Sequence, residues 1–170
     1  MALDLAAQAH CVSCFVGEAY QIFEFEADFA ADLRCIPMIV RLKLDRCGIK
    51  LSLRQWSRFT SADRAGLMTM RCDTDPETAR FRNAVVRLIN ERSGDSVKCL
   101  PVEANPPWTR IDFVPCRIVQ HAANIGIEPP SLAAWSSLSP LQRFALLKLT
   151  RDNHDNENFL PAMSEFGLAT

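Results

Sequence analysis

Residues 33–70 read LRCIPMIVRLKLDRCGIKLSLRQWSRFTSADRAGLMTM, and this stretch decides the fold because its pattern occurs a second time later in the chain. With one inserted residue, Ile36-Pro37 falls on Val114-Pro115, Gly48-Ile49 on Gly126-Ile127 and Ser52-Leu53 on Ser131-Leu132. Further along, Trp56-Ser57 falls on Trp135-Ser136, Arg64 on Arg143 and Leu67 on Leu146. A period of about 78 residues is too long for a solenoid repeat, so the pattern is that of a doubled helical unit.

Each copy has a physical reading. Pro37 and Pro115 suit a helix start, where a missing N–H has no intrahelical partner to lose. Gly48 and Gly126, eleven residues on, supply the left-handed residue that closes a helix without a Cβ clash. Three-turn helices are therefore predicted over residues 37–47 and 115–125. A short tryptophan-bearing segment follows, ending at Thr60 or Ser139. Thr60 with Asp63, and Ser139 with Pro140 and Gln142, read as N-caps whose partner three residues on reaches back, with Gln the better partner of the two. A third helix carries Leu67, Met68 and Met70 in one copy and Leu141, Phe144, Leu147 and Leu149 in the other. The expected architecture is all-α: a compact single-domain helical bundle of two helix–short helix–helix units, at about 33–71 and 112–150, within a domain spanning 23–170. An N-terminal arm, 1–22, precedes it, with an extended acidic stretch at the junction.

Trp56 and Trp135 are expected in the core, since a large ring recurring at one place in a helical repeat plugs the joint between helices. Pro37, Gly48, Pro115 and Gly126 complete the shared frame. The copies differ in charge: Arg41, Lys43, Arg46, Lys50, Arg54 and Arg58 face Val119, His121, Asn124, Glu128, Ala133 and Ser137. A charge run is ordinarily a solvated face, yet this asymmetry makes the first copy, with Arg34 at its head, the candidate basic face for an acidic partner.

The whole chain is 170 residues, 48% hydrophobic and 23% charged, enough for one sizeable core. Net charge is -1, which argues against wholesale nucleic-acid binding, but the distribution is uneven. Residues 1–33 hold six acids and no base, whereas residues 34–92 hold thirteen bases and six acids. No apolar run approaches bilayer length, and the first residues lack the basic start of a signal or transit peptide, so a cytoplasmic protein away from the membrane is expected. Seven cysteines, with Cys35, Cys47, Cys99 and Cys116 in apolar surroundings, read as reduced thiols.

His10-Cys11-Val12-Ser13-Cys14 offers a CxxC, but one CxxC is half a zinc site, so Cys11 and Cys14 are weak metal candidates beside the plainer reading of a fortuitous spacing. FEFEADF at residues 23–29 alternates aromatic and acid, suggesting an extended arm whose carboxylates fold onto the basic face or compete with a partner for it. Residues 73–77 start a helix that carries Phe81, Val85, Leu88 and Ile89 inward and Arg80, Arg87 and Arg92 outward, stopping at Ser93-Gly94. Residues 95–113, with Pro101, Pro106 and Pro107, read as a linker over the surface, anchored by Trp108. His154 beside Asp152, Asp155 and Glu157 looks like a ligand cluster, but such a run is ordinarily a solvated loop. Phe159, Leu160, Met163 and Phe166 form a last amphipathic turn ended by Gly167, and His121 is expected to lack a chemical role.

FEFEADF, LRCIPMIVRLKLD, GIKLSLRQW and the later VPC together resemble the nitrate reductase-associated proteins, the small NarM-like accessory proteins of assimilatory nitrate reduction. The resemblance spans residues 23–149, with 23–56 its most specific part and the CxxC outside it. It implies a soluble, noncatalytic factor required for active nitrate reductase, an enzyme carrying a molybdenum cofactor with or without an iron–sulfur cluster. It supplies no catalytic residue to carry over.

The residues themselves agree with a nonenzymatic reading. Six glycines fall in no phosphate-cradling pattern and three histidines are dispersed, so neither catalytic residues nor a cofactor is expected. The expectation is an accessory module that grips nitrate reductase, or a factor supplying its cofactors, through Arg34, Arg41, Lys43, Arg46, Lys50, Arg54 and Arg58. The alternative is a small helical nucleic-acid-binding or regulatory module using the same face. It lacks a recognition helix with its own cluster of Arg, Asn and Gln.

Overall fold

Pro37 holds the extended backbone (φ -62°, ψ 154°) from which the first long helix springs, and Gly48 closes that helix in the left-handed region at φ 65°. The computed structural model describes residues 22–30, 33–151 and 157–168. Within them the first unit consists of α2 (Met38–Cys47), α3 (Leu53–Arg58) and α4 (Ser61–Thr69). The second consists of α6 (Cys116–Asn124), α7 (Leu132–Ser137) and α8 (Pro140–Leu149). A short α1 (Ala27–Ala30) precedes the first unit, α5 (Asp75–Leu88) links the two, and α9 (Phe159–Glu165) follows the second. The protein is predominantly helical, as the spacing predicts. The prolines act as N-caps one residue ahead of the first helical position.

The caps form for local reasons. Thr60 and Asp63 exchange bonds of 2.9 and 3.1 Å, and Ser139 and Gln142 bonds of 2.8 and 3.2 Å, so Asp closes its box as well as Gln. Ser52 with Gln55 and Thr74 with Glu77 add two boxes. α5 ends in a π-helical turn, Ile89–Ser93, and Gly94 at φ 66° stops it where expected.

The tryptophans do more than fill space. Both are fully buried, and each indole donates to the carbonyl of a residue ahead of its own unit's first helix. Trp56 Nε1 reaches Leu33 O at 2.7 Å and Trp135 Nε1 reaches Arg110 O at 2.9 Å. The aligned arginines fasten the same joints. Arg64 donates to the carbonyls of Leu33, Trp56 and Ser57, and Arg143 to those of Trp108 and Leu138. One hydrophobic cluster takes in both units, from Phe23 through Trp56, Phe81 and Trp135 to Phe144 and Met163.

Residues 95–113 are an extended strap, though a structured one. Its β2 (Lys98–Cys99) pairs antiparallel with β1 (Ile49–Lys50), and a 3-10 turn at Pro107–Thr109 seats Trp108 edge-on to Phe144 at 6.0 Å. Trp108 is the anchor its surroundings suggested.

The acidic arm departs from expectation. In place of an extended stretch with its acids on the basic face, Glu24–Glu26 is a 3-10 turn running into α1. The physical reason is backbone capping. Glu26 is buried and accepts from Phe23 N (3.2 Å) and Met38 N (3.0 Å), supplying the cap that Pro37 cannot give α2. Glu165, from α9, accepts from Glu24 N and Phe25 N at 2.9 and 3.0 Å, while Phe23 and Phe25 stack on one another and Phe166 meets both edge-on. Burial pushes the Glu26 carboxyl up, against the pull of those two N–H donors.

The two closing glycines are not equivalent. A Cβ on Gly48 would lie 2.6 Å from Leu100 O, whereas one on Gly126, at φ 74°, meets nothing. Gly126 is exposed, so it belongs to the frame but not to the core. Gly126→Ala should cost about 1–2 kcal/mol for the left-handed backbone alone. Gly48→Ala adds a clash with backbone that cannot yield and should cost about 3 kcal/mol or more, both read by urea unfolding.

Asp63 gives a pH prediction. Arg92, 2.9 Å away, together with the Thr60 N–H, holds its carboxyl down to about 2 from 3.8. A lowered native pKa means that the unfolded chain binds the proton first. This stability is present above about pH 4 and is lost as pH falls toward 2. Asp63→Asn should lower the Tm at neutral pH and flatten the acid limb of a Tm-against-pH curve.

Candidate docking surface

The seven cations singled out from the sequence do not form one face. Lys43 is 3% exposed, and its Nζ donates to Met68 O at 2.7 Å and Leu67 O at 3.5 Å. It caps the C-terminal carbonyls of α4, which have no intrahelical donors. Arg46 does similar work one helical turn on, bonding Cys72 O and Asp73, each at 3.0 Å. Arg41 turns its Nε back to Ile36 O at 2.9 Å. Lys43 therefore drops out of the candidate surface, and Arg41 and Arg46 are largely occupied by structure. Arg34, Lys50, Arg54 and Arg58 are exposed.

Of these, Arg54 and Arg58 lie four residues apart on α3, whose inner side is Gln55 and Trp56. Leu53, at the start of the same helix, is an apolar side chain left 53% exposed. Lys50 sits just before, on β1, and the strand register brings Lys98 opposite it. Sequence reasoning missed Lys98 because its importance depends on a two-residue strand pairing that no local pattern announces.

A cleft of about 950 Å³ lies on another side, bounded by the strap, α2 and α8. Trp108 lines it with Arg46 stacked 5.5 Å from the ring centre, and the indole N–H is buried with no partner among the described residues. Its charges are largely neutralised from within: Arg46 pairs with Asp73 at 3.0 Å and Lys148 with Asp45 at 2.8 Å. That makes it a poor receptor for a charged partner.

Among the described residues no three His, Cys, Asp or Glu side chains converge as metal ligands. Cys47 and Cys72 are buried, and desolvation pushes the Cys47 thiol up to about 11. Cys99 and Cys116, by contrast, are exposed, since the strap and the start of α6 face outward. His121 packs edge-on to Phe159 at 4.6 Å. Cys11, Cys14 and the loop of Asp152, His154 and Asp155 lie outside the described residues.

The chain matches the family described as conserved nitrate reductase-associated protein over residues 22–166. It belongs to that family. Searches of curated proteins and of solved structures return no match. The nitrate reductase-associated region thus begins at the Phe23–Glu26 turn and ends at Phe166, so it includes both partners of the Glu165 clamp. No helix among its described residues is long and apolar enough to cross a membrane.

The burial of Lys43 has a measurable consequence. Lys43→Met removes a charged donor from two carbonyls and should lower stability by about 1.5–3 kcal/mol in chemical denaturation. A carboxylate there would face those carbonyls without a donor, so Lys43→Glu should destabilise more strongly than Lys43→Met.

Proposed function

We propose that this nitrate reductase-associated protein is a noncatalytic accessory factor that contacts nitrate reductase, or a factor supplying its cofactors, directly. On this reading it supports maturation of the enzyme, by cofactor loading or by stabilising the enzyme before loading, and the two meet in the cytoplasm. The observation that carries the reading is the exposed ridge of Arg54 and Arg58 beside Leu53. The second unit has Ala133 and Ser137 at the same places. An exposed apolar side chain and two cations on one short helix suit a protein surface with acidic borders. The family description supports an association with nitrate reductase.

The experiment is a binding titration of wild type, Arg54→Glu/Arg58→Glu and Ala133→Glu/Ser137→Glu against apo nitrate reductase at two salt concentrations. The arginine variant should bind about tenfold more weakly and lose most of the salt dependence, while the second-unit variant stays close to wild type. Equal affinities for all three remove α3 from the interface. A gel shift at physiological salt tests the nucleic-acid alternative; a shifted band there with no nitrate reductase binding would favour it.

A further inference from the structure

Most cations of this protein already have a structural acceptor. Arg46, Arg71, Arg92, Arg110 and Lys148 are in ion pairs, and Arg64 is spent on carbonyls. Lys50 and Lys98 are different. The register places them directly across the two-stranded ribbon from one another, both exposed. Neither ammonium group is in an ion pair or hydrogen bond with any described residue; Arg54, Arg58, Arg80, Arg87 and Arg117 share that property, but the two lysines alone are set opposite one another by the ladder.

Their position is fixed. Ile49, on the ribbon's opposite face, is buried in the core. Leu100 N donates to Gly48 O at 2.8 Å, and Gly48 has no side chain because the strap backbone lies against it. The ribbon therefore cannot slip to separate the charges. Like charges directly opposite on an antiparallel pair, with Cβ atoms about 5 Å apart, destabilise it. Asp95 and Glu103, the carboxylates nearest Lys98 along the chain, make no ion pair with either lysine among the described residues.

The pair also adjoins the proposed surface. α3 begins three residues after Lys50 and packs against the Ile89–Ser93 turn, from which the chain runs into β2. The ribbon and α3 are thus neighbours in the fold.

We propose that the Lys50–Lys98 pair is the centre of the docking surface and that it receives an acidic segment of the partner protein, with a carboxylate bridging the two ammonium groups. This rests on the contact reading above and names the chemistry of the partner's side. In the free protein the two charges repel; in the complex one carboxylate screens both. Relieving the repulsion by substitution should therefore move folding and binding in opposite directions.

The test uses Lys98→Glu, which puts opposite charges across the ribbon, and Lys98→Thr, which keeps a strand-favouring side chain without charge. Arg117→Glu, on α6 in the second unit, serves as control. Thermal unfolding of the free protein and titration with purified apo nitrate reductase are measured for each. Both Lys98 variants should melt at or above the wild-type temperature yet bind at least fivefold more weakly, with Arg117→Glu within twofold of wild type. Wild-type affinity in either Lys98 variant overturns the inference, as does weakened binding that only follows a lowered melting temperature. If the Lys98 variants bind normally while Arg54→Glu/Arg58→Glu does not, the inference fails and the contact reading stands. If wild type shows no saturable binding, it is the contact reading that fails. A duplex DNA fragment bound as tightly as nitrate reductase, and lost in the Lys98 variants, would overturn the acidic-protein assignment.

Discussion

The fold depends on a buried indole and a guanidinium that together tie down loose carbonyls at the joint of each unit. A chain leaving a short helix, or running extended ahead of one, leaves C=O groups with no helical partner, and burying them unpaired would cost more than the packing returns. Trp56 and Arg64 settle this for Leu33, Trp56 and Ser57. Trp135 and Arg143 settle it for Arg110, Trp108 and Leu138. Once those carbonyls are satisfied, α2 and α8 can pack on each other and share one core.

The same requirement reorganises the charges. Residues 34–92 are rich in bases, but helix ends take several of them inward. Lys43 serves the end of α4, and Arg46 the turn after it. Arg82 serves the end of α2 by donating to Cys47 O. Carboxylates do the reciprocal work at helix starts, Glu26 for α2 and Glu165 for the turn before α1. A face that looks uniformly basic in sequence is thereby divided. Part of it is internal scaffolding, and what stays outside includes Arg34, Lys50 on β1, Arg54 and Arg58 on α3, and Arg80 and Arg87 on α5.

Much of this was legible in the sequence because it is local. Pro-to-Gly spacing, capping boxes at Thr60 and Ser139, and apolar periodicity through Phe81 and Val85 depend on neighbours within one or two turns. The tryptophans were legible as core for the same reason. The arm was misread because FEFEADF has a period of two, and only the distant Met38 N–H and the α9 carboxylate make a 3-10 turn the better solution. Lys43 was misread because a lysine in a helix looks solvated until the adjoining helix end is known. Lys98 could not be seen at all, since its neighbour is forty-eight residues away across a ribbon of two residues per strand.

These two kinds of cation also explain why charge counting is a weak guide to an interface in a small helical protein. A cation that satisfies a buried carbonyl is held by structure, and altering it changes folding before it changes any partner. A cation left opposite another of like sign has the opposite character: it satisfies no acceptor of the fold, and its backbone is nevertheless held in place by Ile49 and by the close approach at Gly48. Stability alone accounts for Lys43 and Arg64. It does not account for two unpartnered lysines set opposite one another, and on the proposed reading such a pair is where a partner's contribution is to be sought.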